Sequence, residues 1–169
     1  MNSVLTQPSP SKDIVNYWQF ARSTTETNRL NPKYCGKWLV FVDLANLDNL
    51  WEKVKTLTEK GILGPSAKTA TARPNSSAKD IKIKVIIVYT KNYFDLDDVA
   101  RVAWLLYENK IFTGPVLNYK TDKATYKGIY AIKSEKASVY SIKIHSFSIH
   151  DTQAKLTEFF KSKYSSFQK

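Results

Sequence analysis

At 169 residues, with 43% hydrophobic and 13% aromatic residues, the chain holds the material for one domain with a sizeable core. Its 26 Lys and Arg against 15 Asp and Glu leave a net charge of +11, a field that favours phosphate-rich partners such as nucleic acid, nucleotides or an anionic membrane surface. Cys35 is the only cysteine, which excludes an intramolecular disulfide and a thiolate metal cluster within one chain and fits a reducing compartment.

The start, MNSVLTQPSPSKD, lacks the basic flank and apolar stretch of a secretory signal. No apolar run approaches the roughly 20 residues that span a bilayer, so a cytoplasmic location without membrane contact is expected. Pro8, Pro10 and several Ser, Thr and Gln offer little to bury, and residues 1–13 read as a flexible tail ahead of a single α+β domain over 14–169.

Within that domain, residues 37–43 (KWLVFVD) form a short apolar, β-branched and aromatic run after Gly36 and read as a buried strand. A helix follows, with Asn46 or Asp48 as cap, Leu47, Leu50, Trp51, Val54 and Leu57 along one stripe, and Gly61 closing it. After Gly64-Pro65, residues 66–73 (SAKTATAR) alternate with period two and predict a strand carrying Lys68, Ala70 and Ala72 on one face. Residues 81–90 (IKIKVIIVYT) alternate and then turn wholly apolar, a second buried strand.

Asp95 is placed to cap a helix over 96–109, with Asp97 and Asp98 matching the helix dipole and Val99, Val102, Ala103 and Leu106 forming its stripe. Beyond Gly114-Pro115, residues 116–119, 128–132 and 138–148 alternate enough to be strands, and Asp151 is placed to cap a last helix through Leu156, Phe159 and Phe160. The expected fold is therefore α+β: a curved, mostly antiparallel sheet of roughly six strands backed by two or three helices. A doubly wound parallel sheet ranks second, because neither strand-to-helix junction has the glycine-rich phosphate turn.

Catalytic signatures are missing: no G-x-S-x-G, H-E-x-x-H, Walker or kinase pattern occurs. His145 and His150, with Asp151 the only obvious companion ligand, fall short of a metal set and read as surface or strand-edge histidines. Asp43, at a strand end, has no partner carboxylate or histidine fixed near it. The acidic trio at Asp95, Asp97 and Asp98 has a sufficient role as a helix start. No cofactor is implied.

What remains is a basic and aromatic surface. Seven lysines and two acidic residues fall between Lys110 and Lys143, while Lys68, Arg73, Lys82 and Lys84 lie on or beside the two middle strands. Tyr17, Trp18 and Phe20 precede the first core strand, where a loop would leave a ring partly exposed, able to stack on a base while a nearby cation holds its phosphate. Trp38, Trp51 and Trp104 lie in periodic elements and have core readings.

Trp18-Gln19, Gly36-Lys37-Trp38-Leu39, the Trp51 helix, SAKTATAR, KIKVIIVYTKN and VARVAWLLYE together resemble, in order and spacing, the mRNA cap-binding translation initiation factor four-E. The pattern is closer still to the small relatives of the basophilic-leukaemia-expressed protein family, which share that helix-backed curved sheet. The resemblance implies that Trp18 stacks on a base, that Gln19 stands where the cap-binding family has the Glu that complements a cationic base, and that Arg73 and Lys79, with Lys68 on the same strand, meet phosphates. A neutral Gln withdraws the carboxylate that a methylated base needs, and the family's second sandwiching Trp falls on strands this chain lacks.

A weaker resemblance is to bacterial phosphothreonine lyases, in which a K-[FW]-H strand supplies a general-acid His and a later strand a Lys base. Lys37 and Lys68 occupy comparable places, but Leu39 stands where the acid should be. The expected function is a non-enzymatic binding domain for a phosphate-bearing ligand, RNA or a nucleotide first, with Trp18, Gln19, Lys68, Arg73 and Lys79 as ligand-binding residues. A lyase-like enzyme using Lys37 and Lys68, and a protein-interaction module using a helix face, are the alternatives.

Overall fold

The computed structural model describes residues 7–25, 30–76, 78, 80–122 and 140–142, together with the backbone of 143 and 148–151. Strands β1 (Trp18–Arg22), β2 (Gly36–Asp43), β3 (Ser66–Ala70), β4 (Ile83–Thr90), β5 (Val116–Thr121), β6 (Tyr140–Lys143) and β7 (Ser148–Asp151) form one sheet in the order β1-β3-β4-β2-β5-β6-β7. Every pairing among them is antiparallel. Helices α1 (Leu47–Glu59) and α2 (Leu96–Glu108) cover one side, so the expected helix-backed antiparallel α+β architecture is the one adopted.

Alternation along each strand separates the two faces. Trp38, Val40 and Val42 of β2, Ile86 and Val88 of β4, and Leu117 and Tyr119 of β5 are buried in one cluster with Leu47, Trp51 and Val54 of α1 and Val99, Val102, Ala103 and Leu106 of α2. The indole Nε1 of Trp38 donates to the Val99 carbonyl at 3.0 Å and pins β2 to α2, while its ring meets the edge of Tyr119 with centroids 4.9 Å apart. The remaining strand positions point away from α1 and α2 onto the opposite face, called the open face below, where Phe20 and Phe41 reach solvent while Lys37, Ile87 and Lys120 are buried.

The two helices begin differently. Asp95 caps α2 as expected, its carboxylate accepting from the backbone N–H of Asp98. Asn46 takes the N-cap position of α1 as expected, its carbonyl accepting from the Leu50 N–H, but its side chain makes no cap bond; the Asp48 carboxylate accepts from the backbone N–H and hydroxyl of Ser11 at 2.8 and 2.5 Å. Asp43 shapes the turn before α1, accepting from the backbone and amide nitrogens of Asn46.

Ser11 belongs to a stretch expected as flexible tail. Pro10–Lys12 form a 3-10 turn with Pro10 buried, and Asp13 is 1% exposed. This stretch continues the hydrogen bonding past the end of β3: the N–H groups of Ala72 and Arg73 donate to the carbonyls of Pro10 and Asp13. Strand β3 itself stops at Ala70 rather than running to Arg73 as expected, and Ala72 and Arg73 pair with this stretch instead. Further corrections concern the strands. Trp18 and Phe20 lie on edge strand β1 rather than in a loop, and the expected strand over 138–148 is two strands, β6 and β7. Asp151, expected to cap a helix, ends β7, while the strand expected over 128–132 and the last helix lie outside the described residues.

Candidate functional site

Three rows of side chains cross the open face. Ladder partners place Phe20, Lys68, Ile87, Leu39 and Asn118 side by side from β1 through β3, β4 and β2 to β5. One same-face step toward the start of β2, Tyr89 stands opposite Lys37, and Lys37 opposite Lys120. One step the other way, Trp18 stands opposite Ala70 and Val85 opposite Phe41.

Within this lattice cations and rings alternate along a diagonal. The Lys68 ammonium lies 4.2 Å from the centroid of Trp18 and 6.0 Å from that of Tyr89, and Lys37 lies 5.4 Å from Tyr89 on the far side. Each cation meets the negative face of a ring, a contact that gains strength as water is excluded. Lys37 is 6% exposed, and its ammonium donates to Asp122 Oδ1 at 2.5 Å. The other Asp122 oxygen accepts from the Cys35 thiol at 3.3 Å.

Lys68 has no carboxylate within ion-pair reach among the described residues. Burial, with the nearby Lys37 charge second, holds its ammonium below the ordinary lysine pKa. Lys120 is shifted the same way, by burial first and then by Lys37. Burial, reinforced by the Asp122 charge, pushes the Cys35 thiol up to about 12, which keeps it protonated and unreactive.

The structure brings together only part of the expected set. Trp18 and Lys68 touch. Gln19 does not join them, because neighbours on a strand point to opposite faces. It is 5% exposed on the helix side, and its amide donates to Asp13 Oδ2 at 3.0 Å and to the Pro8 carbonyl at 2.8 Å. Arg73 lies beyond the end of β3, its guanidinium 3.8 Å from the centroid of Tyr17 and donating to the Val15 carbonyl. Lys79 lies outside the described residues.

Lys84, counted among the basic residues of the middle strands, is buried on the helix face. Of the three tryptophans expected in the core, Trp38 and Trp51 are there. Trp104 is only half-buried and lies against Tyr107 with centroids 5.7 Å apart. Leu39 sits between Ile87 and Asn118 on the open face, in line with Lys68.

Tyr89, Lys120 and Asp122 were missed as site residues. The alternation of residues 81–90 already puts Tyr89 on the face of Ile87, a usable signal. Nothing local marks Asp122, whose partner Lys37 is 85 residues away.

Residues 14–128, which carry β1 to β5 and both helices, match the family model described as basophilic leukemia-expressed protein Bles03. The chain belongs to this family. No curated protein matches the sequence. Among solved structures, the chain is similar to Ascaris suum eIF4E-3 in complex with m7G cap, at 19% identity and a TM-score of 0.41, over 59% of this chain and 57% of that one. The same Ascaris protein with m2,2,7G cap gives 19% identity, a TM-score of 0.40 and the same coverage. The likeness thus spans a little over half the length of those structures. No helix among the described residues is long and apolar enough to cross a membrane.

Proposed function

We propose that the chain is a non-enzymatic binding domain for a phosphate-bearing ligand, RNA or a nucleotide, held on the open face by stacking on Trp18 and by Lys68. The observation that carries this reading is the Lys68 ammonium lying 4.2 Å from the Trp18 ring while lacking a carboxylate partner among the described residues. A base that stacks on this half-exposed ring brings its own phosphate within reach of a cation that has no carboxylate in ion-pair distance among the described residues. Lys37 and Lys120 lie one same-face step beyond Lys68 but are buried, Lys37 against Asp122, and Arg73 beside Tyr17 offers a second cation and ring past the end of β3. A base that stacks on Trp18 takes the ring face that Lys68 covers and frees its ammonium to meet the phosphate.

The test is titration of a fluorescently labelled single-stranded RNA by anisotropy at several salt concentrations. Binding should weaken steeply with salt, Trp18→Ala should cost about tenfold or more, and Lys68→Ala should flatten the salt slope by about one phosphate contact. The reading is overturned if no RNA or nucleotide binds at low salt, or if both variants bind like the parent.

One observation favours a second reading, a lyase-like reaction on phosphothreonine. Lys37 and Lys68 flank Tyr89 on one face, and the lowered Lys68 pKa is the direction a general base needs. Leu39 provides no proton for the leaving phosphate. Incubation with a phosphothreonine peptide should give the mass loss of phosphate elimination, abolished by Lys68→Ala; an unchanged mass disposes of the enzyme.

A further inference from the structure

The open face carries two rings that neither a mononucleotide nor the packing of the fold accounts for. Phe41 of β2 is 63% exposed and Phe20 of β1 is 62% exposed, on a sheet whose other face is covered by helices. Rings left in water in the folded chain add nothing to its stability, and a ligand that covers them gains that burial instead.

Their positions follow from the register. Trp18 pairs with Ala70, and Phe41 pairs with Val85. Thr69 pairs with Ile86, so one more residue of that ladder brings Ala70 beside Val85 and sets Trp18 and Phe41 in one cross-strand row. Three strand spacings separate the two rings, about 14 Å. That is far wider than any single base. Phe20 follows Trp18 on the same face of β1, about 7 Å along the strand. Val85, half-buried, and Ile83, 41% exposed, continue the apolar side of the face along β4.

Lys68 lies one same-face step away, directly opposite Phe20, and its ammonium reaches back over Trp18. In the next row Lys37 and Lys120 are buried and Lys37 is ion-paired with Asp122, so Lys68 is the cation that the three rings surround. Rings set around one ammonium complement a single strand that presents several bases and a phosphate between them. A mononucleotide uses Trp18 and Lys68 alone.

We infer that the open face is a stacking platform for single-stranded nucleic acid, in which Phe20 and Phe41 stack bases on either side of the one that lies on Trp18. This rests on the reading of Trp18 and Lys68 as a phosphate-ligand site and specifies its ligand as an oligonucleotide crossing β1, β3, β4 and β2.

The experiment measures, by calorimetry on the full chain, affinities for uridine monophosphate and a uridine pentanucleotide. The pentanucleotide should bind at least about tenfold more tightly. Phe41→Ala should remove about that factor for the pentanucleotide and leave the monophosphate unchanged, whereas Phe41→Tyr should keep it. Phe41 is mostly exposed, so Phe41→Ala should leave the melting temperature near the parent's, and Phe41→Tyr reads the ring's role without truncating it. The platform is overturned if both ligands bind equally, or if Phe41→Ala does not weaken the pentanucleotide. Loss of pentanucleotide binding in Trp18→Ala would in that case still uphold the simpler site. If neither ligand binds the parent chain, both readings fall together.

Discussion

The carboxylate of Asp13 accepts from the backbone N–H groups of Val15 and Asn16 and from the side-chain amides of Asn16 and Gln19, at distances between 2.9 and 3.3 Å. These donors favour the charged form, the Asn16 backbone first and the Gln19 amide next, and bring its pKa down from 3.8 to about 2. A depressed carboxylate stabilises the fold at pH above its unfolded value, and this contribution disappears as the pH falls through its folded one. Urea midpoints should therefore drop between pH 3.8 and about 2, and Asp13→Asn should flatten that part of the profile. Equal slopes for parent and variant would show that Asp13 is not the titrating clasp.

The helices end in the same motif with different residues. After α1, the N–H groups of Ile62 and Gly61 donate to the carbonyls of Leu57 and Thr58, with Gly61 at φ 72°. After α2, Ile111 and Lys110 donate to Leu106 and Tyr107 in the same pattern, but Lys110 takes the left-handed position at φ 53°. A side chain there is disfavoured and glycine is not. Lys110→Gly should raise unfolding stability by up to about 1 kcal/mol in urea denaturation, whereas Gly61→Ala should lower it by more than that, because its Cβ would also run into the Thr25 hydroxyl. A destabilised Lys110→Gly chain would refute the account.

Local patterns explain which elements were legible. The two helices and β4 announce themselves because their apolar periodicity and caps are written in consecutive residues. Strand β1 escaped for a physical reason: its inward positions are Gln19 and Ala21 and its outward ones Trp18 and Phe20, so its polarity pattern is reversed relative to a half-buried strand. Gln19 is tolerated inside because Asp13 and Pro8 satisfy its amide. The contact of Trp18 with Lys68 was within reach as composition, a ring and a cation in neighbouring segments. The rows that join them to Tyr89, Lys37 and Phe41 depend on ladder register across four strands, which no local spacing encodes.

Across the whole molecule the net charge of +11 draws polyanions from any direction, and the open face adds cations that burial has brought closer to neutrality. Lys68 and Lys120 both lose protons below the ordinary lysine value of 10.5, so the face should discharge before the rest of the surface as the pH rises. Affinity for the RNA should accordingly fall with pH on the alkaline side earlier than net charge alone dictates, and Lys68→Arg should hold it to higher pH because a guanidinium stays charged. Coincident profiles for parent and Lys68→Arg would exclude Lys68 from the contact.

Because α1 and α2 both lie on one side of the sheet, the residues that pack against them and those that face the other way are different members of the same strands. Exchanges at positions such as Phe20, Phe41 or Ile83 leave the core untouched, and so the outward face can acquire new partners by single substitutions without the chain passing through an unfoldable intermediate.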